Sequence, residues 1–275
     1  MFKVNEAYEL NLNNSPLIVM TPHSGRNYDK KFLKYANLKI NELRNTEDFY
    51  VDNLFFPKKE EFSFLKATFP RVFIDANRSP LEIDQTMWEE SNLQNIFDQD
   101  SFKVLNGIGV FAKFNLFGKY IYSRKIPFKD AKWRLFNFYF PYHRSIKEIV
   151  AKAKKNHKKI VALDCHSMSS GLVSKNVDIV ISNRDNKSSS KEILYLIKKS
   201  FINQNYRIGI NDPFKGGFIT SYYGKPEKNV HFLQIEINKG LYMCEKTLSL
   251  KKKSFLKLKH CFDNLINDIL LYLHA

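Results

Sequence analysis

Histidines and carboxylic acids follow several short apolar segments of the chain, and these residue types can bind a metal ion together. His23 and His166 each follow such a segment, and Glu236 lies near the end of another. Zinc in hydrolases commonly takes three ligands from His, Asp and Glu and leaves one position for water, whose pKa falls toward about 7. The pattern therefore indicates metal-assisted hydrolysis, with a nearby carboxylate as proton acceptor.

The two histidines are far apart in the sequence, so spacing alone does not establish a metal site. They are separated by 143 residues, and the chain contains no H-E-x-x-H motif. A single buried histidine is more often a structural hydrogen-bonding residue. Two of them, with acids at the ends of neighbouring segments, favour a site that the fold assembles. Asp164 precedes His166 by two residues and is expected to orient its ring.

The apolar segments alternate with helical patterns, which is typical of an α/β protein. The predicted strands are residues 16–22, two within 62–76, 159–164, 177–182, 206–210 and 230–237. The predicted helices are residues 46–56, 141–155, 190–203 and 247–273. We expect an open twisted mixed sheet with helices on both faces and ligands beyond the carboxyl ends of its strands. We expect residues 1–275 to form one domain. Residues 81–130, where the pattern of strands and helices is weak, are expected to be an insertion or lid.

Composition narrows the function classes further. The chain has 44 basic and 28 acidic residues, a formal charge of +16, but its lysines are spread over the whole length. A solvated basic surface that attracts a small anionic substrate is therefore favoured over specific nucleic-acid binding, and a non-enzymatic polyanion-binding protein remains the alternative. The chain has three cysteines, which suit a reducing compartment, and it shows neither a signal-like segment nor a long apolar run. We therefore expect a cytoplasmic protein without membrane spans. Oligomeric state does not follow from the sequence.

Six segments resemble the N-formylglutamate amidohydrolase family. They are TPHSGRNY, TEDFYVD, FPRVFIDANRSP, ALDCHSMSS, NDPFKGGFITSYYG and HFLQIEINKGLYM, in the family's order from about residue 16 to residue 245. The resemblance implies hydrolysis of N-formyl-L-glutamate to formate and glutamate, the last step of one route of histidine degradation. It also implies a fold similar to the zinc carboxypeptidases, of the phosphorylase/hydrolase-like type. Other N-acyl amino acids or short peptides are the alternative substrates.

The same resemblance implies a metal site for zinc or another divalent metal. Carboxypeptidases take two ligands from H-x-x-E, but the residue three positions after His23 is Arg26. The family places an acid in a later motif, and this implies Asp48 as the third ligand beside His23 and His166. Glu47 is the alternative ligand, and Asp48 would otherwise act as an ordinary helix cap.

The remaining implied roles concern catalysis and substrate binding. Glu236 is similar in place to the carboxypeptidase general base. Asn77 and Arg78 resemble the pair that binds the substrate carboxylate, although Arg78 would otherwise form an ion pair with a neighbouring acid. Arg71 is a second candidate, for a carboxylate or for polarising the scissile carbonyl, and is otherwise a surface arginine. His143 is expected either to reach the site or to face solvent.

A turn-rich loop and an aromatic residue complete the candidates. Asn211 and Gly217 delimit the loop, which either approaches an anion with its backbone amides or simply turns. Tyr222 lines the pocket or packs in the core. Ser24 and Ser167 lie in no G-x-S-x-G motif, so we exclude a serine hydrolase.

Overall fold

The computed structural model describes residues 2–56, 61–90, 97–174 and 176–275. Within them, the main sheet is formed by β1 Phe2–Val4, β2 Tyr8–Asn11, β3 Leu17–Thr21, β4 Ser63–Ala67, β5 Ile160–Met168, β6 Ile179–Ser182, β7 Ile208–Ile210 and β8 Val230–Asn238. The strand order is β1-β2-β4-β3-β5-β8-β6-β7. Strands β4, β3, β5 and β8 run parallel, whereas β1, β2 and β6 each pair in antiparallel fashion with a neighbour. The expected mixed sheet is confirmed.

The strands β3, β5 and β8 form from largely apolar segments that the fold covers on both sides, and β5 and β8 also contain the polar residues of the site. All nine residues of β5 are buried, as are all five of β3. Such runs are typical of parallel strands covered by helices on both faces. Since β3, β5 and β8 run parallel, their carboxyl ends meet at one edge of the sheet, where ligands bind in α/β proteins.

Helices lie against both faces of the sheet. They are α1 Lys30–Tyr35, α2 Ile40–Arg44, α3 Val51–Phe55, α4 Phe102–Leu105, α5 Phe128–Arg134, α6 Phe140–Asn156, α7 Lys191–Ile202, α8 Phe218–Tyr223 and α9 Lys252–His274. Helix α6 packs in one apolar core with one face of the strands. Helices α3, α7 and α9 pack in a second core with the other face. In the described part of the chain, no helix has the length and apolar character needed to cross a membrane.

The prediction of a second strand within residues 62–76 is wrong. Residues 71–73 form turns instead, since the amide of Phe73 donates to the carbonyl oxygen of Pro70. The amide of Asp75 donates to the carbonyl oxygen of Val110, which lies in the 81–130 segment rather than in a strand of the sheet. This loop, and not a strand, carries Asn77 and Arg78.

Two helix starts also differ from the prediction. The helix predicted at 46–56 begins only at Val51, because Tyr50 adopts a left-handed backbone with φ of 62° and the Thr46 hydroxyl donates backward to Leu43 O. The helix predicted to open at Pro141 is preceded by helix α5 and a π-helical turn, Leu135–Tyr139. The wider turn suits a proline that has no amide to donate.

The C-terminal helix is shorter than predicted, because residues 243–250 form a small hairpin. Strand β9, Met243–Cys244, pairs with strand β10, Ser249–Leu250, and Leu248 turns the chain with φ of 56°.

The described part of the 81–130 segment contains short pieces of structure rather than a long regular element. Residues 91–96 of it lie outside the described residues, so the segment as an insertion or lid stays a prediction. Its described part packs on the loop after β4, since Ile108 O and Val110 O accept hydrogen bonds from Arg78 and Asp75.

Candidate active site

Three electron-rich side-chain atoms converge at the carboxyl ends of the central strands. The Nδ1 atoms of His23 and His166 lie 3.0 Å apart, and Nδ1 of His166 lies 3.0 Å from Oδ2 of Asp48. The third side of this triangle, from His23 Nδ1 to Asp48 Oδ2, is 3.5 Å. Around a tetrahedral zinc ion with bonds of about 2.1 Å, ligand atoms lie about 3.4 Å apart. The triangle therefore has the size of one face of such a coordination shell.

The sheet and two loops position the triangle. His166 is part of β5, and His23 lies two residues beyond the end of β3. Asp48 is tied to the β3 loop, because its amide donates to His23 O at 3.0 Å and its carbonyl accepts from Ser24 Oγ at 3.2 Å. Gly25 permits this arrangement, since a Cβ there would lie 2.1 Å from the Phe69 carbonyl oxygen.

Each histidine also has a carboxylate on the far side of its ring. Nε2 of His23 lies 2.7 Å from Oδ1 of Asp75, and Nε2 of His166 lies 3.1 Å from Oδ1 of Asp164. A carboxylate at Nε2 favours the tautomer with its proton there. The two Nδ1 lone pairs are then directed at each other and at Asp48, which is the arrangement that metal-binding histidines commonly show.

The positively charged groups of the site stabilise its ionised carboxylates. Burial raises the pKa of Asp48, but the hydrogen bonds and charges of His166 and His23 outweigh it and hold that pKa below its usual value. Burial also raises the pKa of Asp75, and the charges of His23 and Arg71 bring it well below the usual range. The carboxylates are therefore ionised beside imidazoles that hold protons in the metal-free site. Burial lowers the pKa of His166, but the charges and hydrogen bonds of the neighbouring carboxylates raise it well above its usual value. A metal ion at the Nδ1 atoms would take the place of those protons.

Glu47, the alternative ligand, faces away from the histidines. Its Oε1 accepts a hydrogen bond of 2.7 Å from the Tyr28 hydroxyl. Arg26, which stands where carboxypeptidases have a glutamate, forms an ion pair of 2.6 Å with Asp52. Asp48 is thus the carboxylate that lies with the two histidines, and it precedes Val51, the first residue of α3, by three positions.

Glu236 lies on the strand beside His166. The two residues are paired in register across β5 and β8, so both side chains extend from the same face of the sheet. Gln234 donates to Oε1 of Glu236 at 2.8 Å. Burial raises the pKa of Glu236 to about 7, and the charge of His166 opposes this rise. A carboxyl with this pKa can accept and release a proton near neutral pH.

The predicted substrate-binding residues of the β4 loop surround the metal-binding group. The Asn77 side-chain nitrogen lies 3.1 Å from both Asp164 Oδ2 and His166 Nε2. Arg71 donates to Oδ2 of Asp75 at 2.8 Å. Arg78 donates to two neutral acceptors, Ile108 O at 3.0 Å and its neighbour's carbonyl oxygen at 3.1 Å.

His143 is buried, so the expectation of a solvent-facing residue is wrong. Its Nε2 lies 2.9 Å from Ala76 O and its Nδ1 lies 3.0 Å from the Tyr223 hydroxyl. Both ring nitrogens are therefore engaged within the protein, and the ring holds the backbone of the β4 loop. Burial lowers the pKa of His143 to about 4.

The other predicted residues lie on or beside the loop that follows β7. The Gly217 amide donates to Gln234 Oε1 at 2.8 Å, and a Cβ on Gly217 would lie 2.4 Å from the Asn77 amide group. Asn211 exchanges hydrogen bonds with Asn183. Tyr222 is half exposed and stacks on Phe218 at 5.2 Å between ring centroids, so it is not a core residue. Roles of these residues in substrate binding stay predictions.

Two polar residues at the site have roles that the sequence did not predict. Gln234 joins Glu236 to Gly217, and its position two residues before Glu236 on the same strand face could have indicated it. Ser167, considered only as a nucleophile, donates to Oδ1 of Asp48 at 3.2 Å.

Comparisons with known proteins give consistent results. Residues 15–243 match the family described as N-formylglutamate amidohydrolase. An N-formylglutamate deformylase from Pseudomonas aeruginosa is 24% identical over 238 residues, which cover 84% of this chain and 83% of that protein. A crystal structure of an N-formylglutamate amidohydrolase from Ralstonia eutropha superposes with a TM-score of 0.90 at 28% identity, covering 98% and 99% of the two chains. A gene product from Agrobacterium tumefaciens shares the fold, with a TM-score of 0.69 at 15% identity over 97% and 94% of the two chains.

Proposed function

The chain belongs to the N-formylglutamate amidohydrolase family, and we propose that it hydrolyses N-formyl-L-glutamate to formate and L-glutamate. The observation that carries the proposal is the buried triangle of His23, Asp48 and His166 beside Glu236, inside the part of the chain that matches the family. Similar proteins from Pseudomonas aeruginosa and Ralstonia eutropha carry deformylase and amidohydrolase names.

His23, Asp48 and His166 would hold zinc or another divalent ion. The three atoms form a closely spaced group of acceptors, 3.0 to 3.5 Å apart, and the carboxylates behind both imidazoles raise their basicity. A cation would balance the negative charge that this group concentrates. When bound, the ion would polarise the formyl carbonyl and acidify a water molecule.

Glu236 would transfer the protons of the reaction. It would accept a proton from the attacking water as the oxygen of that water bonds to the formyl carbon. It would then deliver the proton to the amide nitrogen as the carbon–nitrogen bond breaks. The pKa of about 7 places the carboxylate close to the acidity that both transfers need at neutral pH. Gln234, which donates to Oε1, would fix the orientation of the carboxylate.

The cationic groups beside the triangle would bind the substrate. Arg71 is already directed toward the site by Asp75 and can polarise the carbonyl or bind a carboxylate. Arg78, with Asn77 beside it, donates to two neutral backbone oxygens and, within the described residues, to no carboxylate, so it can bind a substrate carboxylate. Such guanidinium groups suit a substrate with two carboxylates.

Formate release from N-formyl-L-glutamate by the purified protein tests the proposal. The panel includes N-acetyl-L-glutamate and N-formyl-L-methionine, so that the acyl group and the side chain are varied separately. We expect N-formyl-L-glutamate to be preferred, and Glu236→Gln to lower kcat by about 100-fold or more. Preference for another N-acyl compound, or full activity of Glu236→Gln, would contradict the proposal.

A further inference from the structure

Arg184 has no role in the proposed mechanism. It follows β6 by two residues and is half-buried. Among the described residues, its side chain has no ion pair, hydrogen bond or aromatic contact. A guanidinium without a carboxylate partner in the protein is available to bind an anionic ligand.

A strained and well-anchored turn holds Arg184 in place. Arg184, Asp185 and Asn186 all have left-handed backbones, with φ of 54°, 55° and 70°. Such conformations cost free energy in residues other than glycine and persist only where surrounding contacts enforce them. Asn183 provides these contacts, since it bonds to both the amide and the side chain of Asn186 and exchanges hydrogen bonds with Asn211.

The turn places Arg184 against the wall of the proposed active site. A Cβ built on Gly216 would lie 3.1 Å from Cγ of Arg184, so the arginine stem lies along this glycine. The next residue, Gly217, packs on Asn77 and donates to Gln234. Arg184 therefore reaches the site through the glycine pair: it lies along Gly216, and Gly217 contacts Asn77 and Gln234. Asn77 in turn contacts His166, and Gln234 contacts Glu236.

The balance of charge around the site indicates what Arg184 binds. Arg71 has Asp75 as its partner, and Lys103 lies 3.8 Å from Glu82. Within the described residues, Arg78, Arg184 and Lys239 have no carboxylate at ion-pair distance, and Lys239 donates to the carbonyl oxygen of Glu47 at 2.7 Å. Arg78 and Arg184 are therefore the two guanidiniums beside the site that are left for an anion. The proposed substrate carries two carboxylates, one for each of these guanidiniums.

We propose that Arg184 binds the side-chain carboxylate of the substrate and thereby selects N-formyl-L-glutamate over N-formyl-L-glutamine. The inference rests on the proposed deformylase function. Arg78 follows Asn77, which touches His166, so it lies nearer the reacting amide and suits the α-carboxylate. Arg184 lies along Gly216, which is next to Gly217 in the chain, and suits the side-chain carboxylate, which is farther from the reacting amide.

The test compares formate release from N-formyl-L-glutamate and N-formyl-L-glutamine by metal-loaded wild type and Arg184→Gln. We expect kcat/KM for the glutamate substrate to fall about 10- to 100-fold, chiefly through KM, because a charged hydrogen-bonding partner is lost. Activity on the glutamine substrate should change little. Arg184→Lys, which keeps the charge but not the fork, should lie between the two.

Lys215→Gln is the matched control. It removes one positive charge from the neighbouring loop, where Lys215 pairs with the exposed Asp185. We expect it to keep the wild-type preference, and thermal unfolding shows whether each variant is folded. An unchanged preference in Arg184→Gln, or equal losses on both substrates, would overturn the role of Arg184. A wild type that releases formate from neither substrate would instead overturn the proposed function.

Discussion

Each histidine of the proposed metal centre has a carboxylate beside its Nε2 atom, and this leaves its Nδ1 atom for a metal ion. Asp75 and Asp164 lie at the Nε2 atoms, so the Nδ1 atoms of His23 and His166 are directed at one point with Asp48. Replacing either histidine would therefore remove a ligand and also one of the polar partners of a buried carboxylate.

Asp48 and Glu47 provide a matched pair of variants for the identity of the third ligand. We expect Asp48→Asn to lower zinc affinity by more than about 100-fold, a larger loss than removing an outer hydrogen-bonding partner causes. Glu47→Gln should retain nearly normal affinity, since Glu47 bonds to Tyr28 and not to the histidines. Competition with a chromophoric chelator measures both affinities. Equal affinities in the two variants would show that Asp48 is not a ligand.

Because His143 is buried, we expect the free energy of unfolding to fall as the pH is lowered below 6.5. The pKa of His143 falls from 6.5 to about 4 on folding, so the unfolded chain takes up the proton first as the pH falls. Burial of the neutral ring therefore makes its full contribution to the free energy of unfolding above pH 6.5. The free energy of unfolding falls by about 3 kcal/mol as the pH is lowered to 4. His143→Gln lacks this proton and should lose less stability over the same range.

Urea unfolding at several pH values between 4 and 7, with chelator present in both samples, measures this difference. Parallel curves for the wild type and His143→Gln would contradict the buried neutral ring.

At the scale of elements, the continuous apolar strands could be predicted from the sequence and the connecting loops could not. Strands β3, β5 and β8 are recognisable because most of their residues are apolar and nearly all are buried. The turn after Pro70 depends on the hydrogen bond from Asp75 to Val110, a contact between distant residues. The late start of α3 depends on the left-handed Tyr50, which has no signature in the sequence.

The loop after β7 makes a prediction about close packing. Gly217→Ala would place a methyl group 2.4 Å from the Asn77 amide, so Asn77 or the loop must shift. Because a displacement of about 1 Å can cost about 100-fold in rate, we expect a fall of that order in kcat/KM. Gly171→Ala is the control, since a Cβ there meets no atom within 4 Å. Equal activities of the two variants would contradict a positioning role for the loop.

At the scale of the whole molecule, the candidate ligands and their convergence were expected, but the spacing of the residues could not establish that they meet. The residue types and strand ends indicated His23 and His166, and the family resemblance indicated Asp48. Whether side chains 143 residues apart would meet depended on the parallel pairing of β3 with β5. Arg184 was not predicted, because its isolation and its strained backbone are visible only in three dimensions.

The net charge of +16 predicts how activity responds to salt. Raising the ionic strength from about 0.01 M to 0.15 M shortens the screening length from about 30 Å to 8 Å. We expect kcat/KM for the dianionic N-formyl-L-glutamate to fall by a larger factor than for the monoanionic N-formyl-L-glutamine. The same factor for both substrates would show that the basic surface does not attract the substrate.

The central claim is that His23, Asp48 and His166 hold one divalent ion that formate release requires. The most direct measurement titrates zinc into the metal-free protein and follows formate release from N-formyl-L-glutamate. We predict no activity without the ion, a rise that ends at one ion per chain, and no rise for His166→Ala. Full activity of the metal-free protein, or of His166→Ala, would contradict the claim.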